Sequence, residues 1–307
     1  MLRRHILATA AASFAAPAIV SRASLGQNLR KVKMGSAFTT TTNAAFLMPA
    51  LLKPEGIDLE LVMFPSLVQR MQAVASGDVD IGNGGLSATM QVATKGFPMQ
   101  VLANDGGWMV LAQPSIGSFK DLVGKKIAVQ NGSIGLVSLN WKLKQEGVYG
   151  KVEMAFMDNQ DQPIPLMRGD VAAICCFEPY AALAEQNGWG KRLWVPYDSP
   201  MGKTNLGFVA SEKFVKADPE LTKKMVQAHV KATQKMASDS SIAIETTIKQ
   251  FKMTKEVAEL STRNLFFSAE SGAPFVSGLK SLARMMLEDK MLEKEPDWGS
   301  FLNLGYV

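Results

Sequence analysis

Residues 67–96, LVQRMQAVASGDVDIGNGGLSATMQVATKG, decide the fold. Leu67, Met71, Val74 and Ala75 recur at helical spacing, and Gly77 supplies a left-handed stop behind them. Val79 and Ile81 then predict a very short strand ending in Gly82, Asn83, Gly84 and Gly85, with a new helix starting behind Ser87 and stopping before Gly96. Helix, short buried strand, glycine turn, helix is the pattern of an open α/β sheet. Ligands of such sheets sit beyond the carboxyl ends of the strands, where helix N-termini present free N–H groups. The glycine turn is therefore the first place to expect a bound molecule.

The chain has 307 residues, 47% of them hydrophobic, enough for a large core and for two domains. Its start reads as a removable leader. Arg3 and Arg4 precede an apolar run from Ile6 to Val20, and Ser21-Arg22-Ala23 carries small residues where a signal peptidase reads. This predicts a signal peptide over residues 1–23, of the ordinary secretory or the twin-arginine kind, and a periplasmic mature chain. Without Arg3, Arg4 and Arg22 the net charge falls from +5 to +2. Basic runs interleaved with aromatics do not occur, so nucleic acid is not an expected partner. The two cysteines, Cys175 and Cys176, are adjacent and read as buried small hydrophobes. Beyond the leader His229 is the sole histidine, too little for a metal site, and no cofactor is expected.

Outward from the opening stretch, strands are predicted at Val32–Gly35, Leu59–Phe64 and Met99–Ala103. A helix carrying Ala44, Phe46, Leu47 and Leu51 lies between the first two, capped by Thr42 or Asn43 and kinked or shortened at Pro49. Near Gln113-Pro114 the chain changes domain. A strand Ile127–Val129, a helix Ile134–Glu146 and a strand Val152–Met157 follow. Arg168-Gly169-Asp170-Val171-Ala172-Ala173-Ile174 then repeats the pattern of Ser76-Gly77-Asp78-Val79-Asp80-Ile81, at the same place in a second α/β unit. Glu178-Pro179 opens a helix with proline in its first turn. Asn205–Ala210 reads as the return crossing. From Asp218, a cap with Pro219 behind it, the remainder is helical and packs as a layer on the first lobe.

Four stretches in order resemble the nitrate/sulfonate/taurine group of periplasmic substrate-binding proteins of ABC importers, a group that also holds thiamine-pyrimidine binders. They are AVASGDVDIG (73–82) with GGLS (84–87), SFKDLVGKKIAVQNGSIG (118–135), CFEPYAALA (176–184) and LGFVASEKFVKADPELTKKMVQA (206–228). The resemblance implies a two-lobe periplasmic-binding-protein fold (type II) of the α/β class, each lobe a mixed sheet flanked by helices, with a helical C-terminal layer. Lobe 1 would take residues 30–112 and 205–307, and lobe 2 residues 113–204, hinged near Gln113 and Lys203. It also implies a monomer that closes on a small anion and serves an inner-membrane permease and its ATPase.

A crevice between two such lobes collects helix N-termini, whose N–H groups and partial positive field suit an anion. The candidates in lobe 1 are Thr40, Thr41, Thr42, Ser66, Gly85 and Ser87; in lobe 2 they are Asn131, Gly132 and Ser133. The resemblance puts Glu178 at the cleft or the hinge, binding a ligand ammonium or pairing with a protein lysine, the pairing being favoured. Phe38 and Trp108 are candidates for stacking, and Asn205 for a contact at the return crossing. With many hydroxyls and no arginine in these turns, the expected ligand is an organic anion held by neutral donors: an alkyl sulfonate, a taurine-like molecule or an aromatic carboxylate. Nitrate, a thiamine-precursor pyrimidine and a sensing rather than transporting role are the alternatives. Enzymatic activity is not expected. Relatives that make the thiamine pyrimidine use histidines and a cysteine-rich segment, whereas here Cys175-Cys176-Phe177 precedes the EPY helix and the histidines are missing. No GxxxxGK[ST] phosphate loop occurs either.

Overall fold

In a computed structural model, which describes residues 29–105, 108–269 and 271–307, the chain builds two five-stranded mixed sheets. The leader, residues 1–23, lies outside the described residues. The strands are β1 (Arg30–Ala37), β2 (Ile57–Phe64), β3 (Ile81–Gly85), β4 (Met99–Asp105), β5 (Trp108–Ala112), β6 (Lys126–Val129), β7 (Glu153–Phe156), β8 (Ala173–Phe177), β9 (Lys191–Trp194) and β10 (Leu206–Ser211). Between them run α1 (Ala44–Leu52), α2 (Leu67–Ser76), α3 (Leu86–Thr94), α4 (Ile134–Gln145), α5 (Pro163–Arg168) and α6 (Tyr180–Gln186). Behind β10 come α7 (Glu212–Ala217), α8 (Pro219–Ser238), α9 (Ser240–Phe251), α10 (Lys255–Asn264), α11 (Ala273–Glu288) and α12 (Trp298–Phe301).

The first sheet has the order β2-β1-β3-β10-β4 and the second β7-β6-β8-β5-β9. In each, the first three strands are parallel, and the fourth runs antiparallel to both of its neighbours. The two orders are the same, with β3 and β8 in equivalent places. This is the structural content of the repeated Gly-Asp-Val: Gly77 and Gly169 end α2 and α5 in left-handed conformation (φ 87° and 83°) and turn the chain into those two strands.

Several elements differ from their sequence reading. The strand expected at Val79–Ile81 begins at Ile81 and runs through the glycines to Gly85, with α3 starting directly at Leu86. The glycines extend the strand because no Cβ fits beside them: one on Gly84 would lie 2.6 Å from Val209, and one on Gly85 2.6 Å from Leu67. The change of sheet falls ahead of Trp108, since β5 already pairs β8 and β9, not after Ala112. Neither Thr42 nor Asn43 caps α1 through its side chain. Asn43 reaches instead to the Ala243 carbonyl (3.1 Å) and Thr247 Oγ1 (2.9 Å) on α9. Helix α1 runs on through Pro49 to Leu52. Pro179 does not lie within the first turn of α6 but caps it, behind a cis Glu178–Pro179 bond.

The C-terminal helices start as their caps predict: Asp218 accepts from the Leu221 amide at 3.0 Å, with Pro219 next. His229 on α8 stacks flat on Phe208 of β10 (4.5 Å between ring centres) as part of the first lobe's core. The layer is not confined to the first lobe. Asn264 at the end of α10 and Asp289 at the end of α11 both bond residues of the second.

Candidate functional site

The carboxyl ends of β1, β3 and β8 and the N-termini of α2, α3 and α4 meet at a crevice between the sheets. Hydrogen bonds cross it: Ser87 Oγ donates to the Gly132 carbonyl (2.7 Å), the Thr40 amide to the Glu178 carbonyl (2.8 Å), and Gln130 Nε2 to the Pro65 carbonyl (3.3 Å). The lobes are therefore in contact, and the cavity left between them is narrow, about 20 Å³. Lobe 1 lines it with Phe38, Thr39, Leu67, Arg70, Gly85 and Leu206; lobe 2 lines it with Gln130, Ile134, Asn159, Gln160 and Phe177.

Of the residues expected here, Gly85 and Phe38 line the cavity, Phe38 with 38% of its surface exposed. Ser66 and Ser133 cap α2 and α4, accepting from the amides of Gln69 (3.4 Å) and Leu136 (3.1 Å). Ser87 lies inside the first turn of α3, and its hydroxyl is engaged across the crevice with Gly132. Asn131 is exposed and does not line the cavity.

The threonine run is buried and largely used internally. Thr40 Oγ1 accepts from Ser261 (3.0 Å) on α10, and Thr42 Oγ1 donates to the carbonyls of Ala37 and Thr39 (3.0 Å each). Thr41 shares a hydrogen bond with Thr39 at 2.8 Å, so it stands behind the one threonine of the run on the wall. Asn205 is fully buried where β10 begins; its carbonyl accepts from the Leu86 amide, while its side-chain amide meets no partner. The backbone of Trp108 opens β5, and its side chain lies outside the described residues.

Among the described residues Glu178 takes no lysine partner. Its Oε1 accepts from Asn264 Nδ2 (2.8 Å) and its Oε2 from the Ala182 amide (2.9 Å). Burial pushes its carboxyl up to about 7 in spite of those two bonds, which lower it. The cysteines behave as small hydrophobes: both are buried and free, and burial pushes both thiols well above their ordinary value.

Arg70 is the residue that the sequence reading missed. It stands one turn into α2, four residues behind Ser66, and is only 3% exposed with its side chain on the cavity wall. Its signal was present: an arginine on the stripe Leu67-Arg70-Met71-Val74 puts a permanent cation on a helix face that is otherwise apolar and buried. The lobe 2 wall was missed because its polar members are held by one another. Gln130 Oε1 accepts from Asn159 Nδ2 (3.1 Å), and Gln130 Nε2 donates to Asp158 Oδ1 (2.9 Å).

Two lobes of like topology that face each other across a crevice are the periplasmic-binding-protein fold. The chain belongs to the NMT1/THI5-like family, whose pattern matches residues 52–242. It is 27% identical to the taurine-binding periplasmic protein of Escherichia coli K12 over 243 residues, 75% of this chain and 73% of that one. Among solved structures it superposes on the alkanesulfonate-binding protein SsuA of Xanthomonas axonopodis pv. citri, bound to MOPS, with a TM-score of 0.79. That match has 16% identity and covers 90% of this chain and 98% of the other. The ligand-binding component of an ABC-type import system from Staphylococcus aureus, with zinc bound, gives 0.81 at 19% identity over 90% and 97%. At such identities the structural matches speak to the fold alone.

Proposed function

We propose that the chain is the solute-receiving component of an ABC importer. It captures a small organic anion between its lobes, closes by hinging, and delivers the anion to an inner-membrane permease and its ATPase. The observation that carries this reading is Arg70. A guanidinium stays charged at every physiological pH and presents a planar fork of donors that fits a sulfonate or carboxylate. Arg70 adds a charged donor to a site expected to hold its anion mostly by neutral ones. Leu67, Ile134, Phe177 and Leu206 offer the carbon body of such an ion an apolar wall. The taurine-binding relative supports the same ligand class.

The test is calorimetry and thermal melting of the mature protein with methanesulfonate, ethanesulfonate, taurine, benzoate, nitrate and an aminopyrimidine. At a thousandfold excess over Kd, a true ligand stabilises by about 4 kcal/mol. An organic anion is expected to raise Tm, and Arg70→Met to weaken its binding by about 10- to 100-fold, the worth of a hydrogen bond to a charged group. The second reading, a pyrimidine, is favoured by Gln160 lining the cavity together with Phe38 and Phe177. A response to the aminopyrimidine alone, unaffected by Arg70→Met, would establish it and overturn the first.

A further inference from the structure

Glu178 is fully buried at a place where both lobes and the C-terminal layer meet. Its carbonyl holds the Thr40 amide of lobe 1, and its carboxylate holds the amide of Ala182 in lobe 2 and Asn264 of α10. Thr40 bonds onward to Ser261, one turn before Asn264 on α10, so the threonine segment lies over the Glu178–Asn264 pair. Lobe separation must break Thr40–Glu178, and with it either Thr40–Ser261 or Asn264–Glu178, according to which lobe α10 follows. If α10 stays with lobe 2, the threonine segment withdraws from over the pair; if α10 goes with lobe 1, the carboxylate loses Asn264.

We propose that Glu178 is a proton-linked latch: closing the lobes over it takes up a proton, so the closed state gains on the open one as pH falls. The surroundings favour this. Glu185 on α6 and Arg192 on β9 form an ion pair with each other at 3.2 Å, so their charges nearly cancel at Glu178. Cys176 on β8 is a neutral thiol, α10 presents the neutral Asn264, and the segment from Thr39 to Thr42 presents only hydroxyls. With no cation paired to it, the buried carboxyl titrates near 7, whereas a solvated one returns toward its ordinary 4.5. The conformer with the higher pKa binds the proton more tightly. Closure is therefore favoured fully below the open-state value, and the advantage is lost as pH rises through the closed-state value. Between pH 8 and pH 5.5 the closed:open ratio should rise by about 4- to 30-fold. The inference uses the hinge closing of the reading above and not the identity of the solute.

The experiment needs no ligand, so its failure and that of the anion reading are separate events. Spin labels on Lys53→Cys and Lys151→Cys, exposed positions on opposite lobes, report the interlobe distance by pulsed electron resonance; Cys175 and Cys176 are buried away from the label. The expected result is a closed population that grows from pH 8 to pH 5.5 in the otherwise native chain. In Glu178→Gln, which carries a permanently neutral amide, the population should stay fixed over that range. A distance distribution that ignores pH in the native chain overturns the proposal, whether or not Glu178→Gln folds. An unchanged pH response in Glu178→Gln overturns it equally.

Discussion

Gly84 has almost no freedom to change. A methyl group there would meet Val209 Cγ2 at 2.6 Å, Met71 Sδ at 2.8 Å and Thr89 Oγ1 at 2.9 Å, all in the closed packing behind the glycine strand. Gly84→Ala should therefore cost about 1–3 kcal/mol, the usual penalty for overpacking a core, read as a lower urea midpoint with an unchanged slope. The importance of this glycine run was legible in the sequence, but its form was not. Glycines were read as a turn because propensity disfavours them in strands, while the packing of α2 and β10 that forces them there is non-local. Arg70 is hidden for a related reason: caps and turns are where anion sites are legible in a sequence, and this charge projects from inside a helix. The threonine run promised donors, yet its residues sit so close together that Thr41 and Thr42 spend their hydroxyls on the segment itself, and Thr40 turns toward α10.

Helices were the most readable elements, since caps and stops are local. The helix expected over Ile134–Glu146 runs from Ile134 to Gln145, and Asp218-Pro219 marks the start of α8. Which sheet a strand joins was less readable. Buried on both faces, β5 offers an apolar run that suits either sheet, and only the pairing with β8 and β9 decides. The reach of the C-terminal layer was likewise hidden. Asp289, whose side chain is 3% exposed at the end of α11, accepts from Asn140 Nδ2 (2.8 Å) and pairs with Lys144, both on α4. That bond is also what raises the lysine above its ordinary pKa. Asp289→Ala would leave the Asn140 amide without its acceptor in a half-closed space. The expected loss is about 1–2 kcal/mol in denaturant unfolding, at the low end for a charged contact because Lys144 can turn to water. Asp289→Asn should lose less.

At the scale of the whole molecule, the equilibrium between open and closed lobes sets apparent affinity. Ser87 holds Gly132 across the crevice without standing on the cavity wall. Ser87→Ala should leave the folded lobes intact and remove one bond present only in the closed form, worth about 0.5–1.5 kcal/mol. Kd for any solute that binds the closed form should then rise by roughly 2- to 12-fold, with a faster off-rate, in calorimetry and stopped flow. The repeated sheet order was foreshadowed by one short motif match and the return of β10 by the reading of Asn205–Ala210, while the point at which β5 leaves for the second sheet was not. That exchange has a bearing on how the protein is made. The second sheet has all five of its strands between residues 108 and 194, a continuous length of chain. The first has a gap between β3 and β4 that only the late-arriving β10 can fill, so its two inner edges stay unpaired until that strand emerges. During synthesis the middle of the polypeptide can finish folding before its beginning does, and the earlier half waits on the later one for its keystone.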